Sequence, residues 1–172
     1  MTVPALSVGR GQNSVTIVSG TNQNATAGLG ICSRGSGGGA VDINLVNTGS
    51  GTAAVTTANT DTHCNLLRDG ANARSGYATF NGGRTWATGA NGAIGGLTTF
   101  DPLGTGNGNL DLAGTQTIGT NSTVNTLRFN GGDTTLTINN NVTLKLGAGS
   151  GYYGGILMTP AAGGPVLIDG NG

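Results

Sequence analysis

Glutamate is absent from this 172-residue chain, and lysine occurs once, at Lys145. Exposed helix faces are sustained mainly by Glu, Lys, Ala and Leu, so a helical domain is disfavoured from the start. Charged residues make up only 8%, against about 25% in ordinary soluble domains. Seven basic and seven acidic side chains cancel, which leaves neither the basic face of a nucleic-acid binder nor the acidic run of a charged tail. Aromatic residues are only 4%, too few to fill a sandwich core about 10 Å thick. No stretch approaches the roughly 18 apolar residues of a membrane helix, so no membrane insertion is expected. Met1-Thr2-Val3-Pro4 leads into no basic segment and no apolar core of a secretion signal, so a secreted protein of this sequence is expected to be a mature piece or a fragment.

What is present is glycine, 35 residues of it, together with abundant Thr and Asn. Thr and Val suit strands, while Asn and Gly suit turns that need a positive φ. Short strand signals recur, each closed by Gly or Asn. They include Ser14–Ser19, Ala40–Val46, Thr52–Thr57, Tyr77–Phe80, Arg84–Thr88 and Asn109–Leu112. Thr123–Phe129, Thr134–Ile138, Val142–Leu146, Gly155–Met158 and Val166–Ile168 continue the series. No window carries a 3.6-residue apolar stripe without a glycine interruption. The chain is expected to be all-β.

Its last third is the most regular. Leu127 and Phe129, Leu136 and Ile138, and Leu144 and Leu146 form pairs two residues apart on successive strands. Side chains at i and i+2 share a strand face, so each pair is predicted to point into a core. Two architectures fit, an antiparallel meander and a parallel β-helix. Short strands, Gly/Asn corners such as Asn139-Asn140-Asn141, and a core of small residues favour a parallel β-helix, or β-solenoid. A single solenoid module over 1–172 is expected, with 115–172 the most regular part and 1–30 the least defined.

Several segments resemble autotransporter-associated β-strand repeat proteins. They are Gly38–Leu45, Thr56–Thr60, Gly76–Gly82, Thr85–Thr88, Ile94–Phe100, Val124–Asn130, Thr134–Ile138 and Gly154–Leu157. Their order and spacing are similar across 30–172, whereas the first thirty residues match only in style. The resemblance implies a long protein secreted by a Gram-negative bacterium, a right-handed parallel β-helix, and a place in adhesion or surface architecture. It therefore implies an extracellular or outer-surface location.

The candidates for chemistry are few. Cys32 and Cys64 are the only cysteines, and their even number in a secreted chain allows a disulfide; two buried small side chains in neighbouring coils are the alternative. His63 beside Cys64 lacks third and fourth ligands at zinc spacing, so no metal or cofactor is expected. Enzymes built on β-helices need convergent carboxylates, yet Asp42, Asp61, Asp69, Asp101, Asp111, Asp133 and Asp169 are scattered singly. Gly104–Asp111 imitates one calcium-binding nonapeptide, but a single copy builds no ion ladder. Tyr152 and Tyr153 suit a loop contact with glycan or a partner chain, or aromatic cover over a corner. The expected function is a non-enzymatic structural module that pairs with itself or continues a longer solenoid. An adhesin contacting glycan or another cell surface through Leu66–Gly76 and Gly147–Gly155 is the alternative, ahead of a polysaccharide lyase or hydrolase.

Overall fold

A computed structural model describes residues 1–35, 38–59, 62–63, 66–67, 76–89, 92–147 and 154–170. The fold is all-β, with helical structure reduced to single turns such as the 3-10 turn Pro160–Ala162. The chain forms two compact units, Met1–Leu97 and Thr98–Gly172.

The first unit begins with β1 (Ala5–Val8), β2 (Gln12–Val18) and β3 (Ala25–Gly28), followed by β4 (Ile31–Arg34), β5 (Ala40–Val46) and β6 (Ala53–Thr56). The second trio lies on the first: β1 pairs with β4, β2 with β5 and β3 with β6, all parallel. Gln12 meets Ala40 and Ala25 meets Ala53, in both cases 28 residues on. Parallel partners need a long crossover connection, and here two further strands supply it. Burial alternates along β2 and β5, because Val15, Ile17, Val41 and Ile43 point to one face while Ser14, Thr16 and Asp42 point to the other. Val8, Leu29, Cys32, Val41, Ile43 and Val55 form the core, each large aliphatic side chain adding about 1.5–3 kcal/mol by leaving water.

The parallel pattern then changes. β9 (Ala78–Phe80) extends the sheet in parallel with β5, but β10 (Thr85–Thr88) and β11 (Gly95–Gly96) follow antiparallel. A two-residue antiparallel pair, β7 (Thr62–His63) with β8 (Leu66–Leu67), precedes them, and Leu66 and Leu67 are both buried. Asn81, Gly82 and Gly83 all have positive φ, which reverses the chain between β9 and β10.

The second unit holds β12 (Asn109–Leu112), β13 (Gln116–Ile118), β14 (Ser122–Val124), β15 (Thr126–Phe129) and β16 (Thr134–Ile138). It ends with β17 (Leu144–Leu146), β18 (Gly155–Met158) and β19 (Val166–Gly170). Among the described residues every ladder here is parallel: β12–β15–β18, β13–β16–β19 and β14–β17. Leu110, Leu127 and Ile156 form one column and Leu112, Phe129 and Met158 another. Leu127, Phe129 and Leu136 are fully buried, as their spacing predicts. Ile138 and Leu144 are only half-buried, and Leu146, expected in the core, is 40% exposed. Ile138 lies beside Gly170, which has no side chain to cover it. β17 pairs only with β14 among the described residues, so no described strand lies beyond Leu146.

Close stacking explains part of the glycine content. A Cβ on Gly39 would collide with the Gly9 carbonyl, and one on Gly131 with the Ala113 carbonyl. Each glycine lies against the backbone of an earlier corner, where no other residue fits.

Candidate functional site

The most organised polar groups are side chains that tie one corner to the next. Asn22 Oδ1 accepts the Ser50 N–H at 3.3 Å and its hydroxyl at 2.8 Å. Asn24 Oδ1 likewise accepts the Thr52 N–H at 2.9 Å and its hydroxyl at 2.6 Å. Ser19 Oγ accepts the Thr48 N–H, and Asn121 Oδ1 the Thr143 N–H, at 2.7 and 2.8 Å. In the interior, Asn59 accepts from the Cys32 N–H and donates to the Cys32 carbonyl, both at 2.8 Å. A corner cannot satisfy all its backbone groups through a ladder, so these amides and hydroxyls replace the missing partners. The sequence carries a faint sign of this, since Asn22 and Ser50 have the same separation as Asn24 and Thr52. The Asn139-Asn140-Asn141 corner contributes differently: Asn141 takes a positive φ and the Asn139 N–H donates to Ile118.

A second polar cluster is wholly buried. Asn109 Oδ1 accepts from Asn125 Nδ2 at 2.8 Å and from Thr126 Oγ1 at 2.9 Å, where β15 begins beside β12. Buried amides without partners would cost several kcal/mol, so this set favours one register of β12 on β15.

The aspartates are engaged separately. Asp42 accepts from Thr79 Oγ1 (2.7 Å), Asn44 Nδ2 (2.6 Å), Gly82 N (3.0 Å) and Gly83 N (2.9 Å). Its carboxylate thus fills the anion nest made by the Asn81–Gly83 turn. Asp111 is held by Arg128 in a bidentate pair, Nε to Oδ1 at 2.8 Å and Nη2 to Oδ2 at 2.7 Å. The guanidinium also lies 4.0 Å over the Phe100 ring. Asp101 accepts the Asn109 N–H at 2.9 Å. Asp133 sits at a positive-φ corner and Asp169 is exposed, while Asp61 and Asp69 lie outside the described residues. Among the described residues no three His, Cys, Asp or Glu side chains converge on one point. In the Gly104–Asp111 segment, the terminal carboxylate is bound by Arg128.

Cys32 is a buried free thiol with Thr57 Oγ1 at 3.5 Å. Burial pushes its pKa up, only partly offset by the Thr57 hydrogen bond, so the thiol stays protonated and weakly nucleophilic at neutral pH. Cys64, Tyr152 and Tyr153 lie outside the described residues, as do most of the two expected contact loops. Beside β14 and β17, Asn121, Ser122, Thr123, Thr143 and Lys145 line an open groove of about 210 Å³, below the usual size of a small-molecule pocket. Among the described residues, no helix is long and apolar enough to cross a membrane.

No protein-family model, curated protein or solved structure matches this chain.

Proposed function

We propose that the chain is a non-enzymatic structural module of a secreted or cell-surface bacterial assembly. It winds as a right-handed parallel β-helix of the autotransporter-associated repeat kind and associates with itself into a filament or lattice. The observation that carries this reading is the stacking of successive strand trios in parallel register, with corner Asn and Ser side chains of one trio accepting N–H groups of the next. Such stacking needs little beyond small apolar side chains, hydroxyls and amides, which is what the composition supplies. The separate structural engagement of Asp42, Asp101 and Asp111 supports a scaffold over a hydrolase, whose carboxylates must face one substrate. A net charge of zero removes the long-range repulsion that keeps copies apart.

Self-association is tested by sedimentation of the 172-residue chain at micromolar concentration. Species much larger than the 16.8 kDa monomer are expected across a range of salt. A stable monomer under all these conditions contradicts the self-association.

A further inference from the structure

We infer that the copies join head to tail, the outer strands β18 and β19 of one chain receiving β1 and β2 of the next. This inference rests on the self-association proposed above and adds its site and polarity.

The second unit presents core-facing side chains with no described strand beyond them. Ile156, Met158 and Ile168 pair in register with Leu127, Phe129 and Leu136. The inner three are fully buried, whereas the outer three are 48%, 58% and 42% exposed. By register they lie on the same strand faces as the inner three, with no described layer beyond them, while Leu157 between Ile156 and Met158 is buried. β18 and β19 are also the edge strands of their sheets among the described residues.

The first unit presents the counterpart. β1 and β2 are likewise edge strands, and Leu6, Val15 and Ile17 reach the core while only half-buried. The bonds Ala40 N to Gly11 O and Ser19 N to Val46 O show that the odd-numbered residues of β2 bond toward β5. By alternation, the N–H and C=O groups of Ser14, Thr16 and Val18 point to the open side. β3 is less open, because Val3 N donates to Gly28 O and Gly28 N to Met1 O.

Three features select a second copy in this orientation. A four-residue strand followed by a longer one, β18 then β19, meets the same order in β1 then β2. Strand direction is preserved head to tail, so the parallel ladders continue; two identical ends related by a two-fold axis would have to pair antiparallel. Charge agrees as well. Arg10 is the only charged side chain in residues 1–30 and Asp169 the only one in residues 154–172, and both are exposed. Opposite signs meet head to tail, and like signs meet in either symmetric arrangement. A heterologous contact of this kind leaves one complementary end free at each end of the assembly, so copies keep adding into a filament unless the rotation closes them into a ring.

The test blocks one end at a time in the full 172-residue chain. Thr16→Pro removes an N–H that points to the open side and leaves the β2–β5 ladder intact. Ile168→Lys places a charge on the opposite end. Circular dichroism checks that each variant keeps its β signal, with Ser14→Pro and Met158→Lys replacing any that does not. In sedimentation, each blocked variant alone is expected to be a monomer at concentrations at least tenfold above those where the wild type assembles. An equimolar mixture is expected to give a 1:1 heterodimer and nothing larger. Dimers of Thr16→Pro alone would mean tail-to-tail pairing, and dimers of Ile168→Lys alone head-to-head pairing; either overturns the inference. Continued assembly of both variants alone points to side-by-side contacts and also overturns it, as does a mixture that stays monomeric. A monomeric wild type instead removes the self-association on which the inference rests.

Discussion

Leu136→Asp is expected to unfold the second unit, with a loss of more than about 4 kcal/mol. Leu136 is fully buried among Leu110, Leu112, Ile118, Val124, Leu127 and Phe129. A carboxylate there has no described cation beside it; Arg128, on the outer face of β15, is already committed to Asp111. The side chain must therefore be buried protonated or force β16 out of its place between β13 and β19. Either way the loss exceeds the usual range for single substitutions, because it combines a lost apolar contact with an unpaired polar group. Leu146→Asp is the control, since Leu146 is already 40% exposed and its replacement should cost no more than about 1 kcal/mol. Thermal melting followed by circular dichroism distinguishes the two variants. An unchanged melting curve for Leu136→Asp would mean that the faces of β16 are reversed.

The second large effect is expected at a glycine. Gly39→Ala should destabilise the first unit by about 3 kcal/mol, the upper end of what overpacking costs. The added methyl would meet the Gly9 carbonyl directly, and a carbonyl cannot rotate aside as a side chain can. Relief requires lifting β5 from β2, which breaks a seven-residue ladder. Gly9→Ala in the corner beneath it meets nothing within 4 Å and should stay within about 0.5 kcal/mol of the wild type. Equal melting of the two variants would remove close stacking of corners as the reason for glycine at position 39.

Strand positions and the inward faces of β15 and β16 were legible because alternation reports which side of a strand is apolar. Leu127, Phe129 and Leu136 needed nothing more. Leu146 was misplaced because alternation assigns a face but cannot say whether another strand covers it. For a similar reason β9, β10 and β11 gave no warning of antiparallel pairing: Tyr77–Phe80 and Thr85–Thr88 alternate alike whichever way a neighbour runs. The turn between them depends on Asp42, which reaches Gly82 and Gly83 from about forty residues away. A lone Asp in a strand carries no local sign of such a partner. The corner amides are an intermediate case. Asn abundance pointed to corners in general, while the pairing of Asn22 with Ser50 and Asn24 with Thr52 emerges only once the trios are stacked.

The central claim is that in the second unit, among the described residues, neighbours in space are strands three apart in chain order, not strands adjacent in sequence. Nuclear Overhauser contacts in the isotopically labelled chain test it directly. Cross-strand contacts between Hα and amide protons are expected along Leu110, Leu127 and Ile156, and again along Ile118 and Ile138. Close Hα–Hα contacts joining β15 to β16 as an antiparallel hairpin would contradict it.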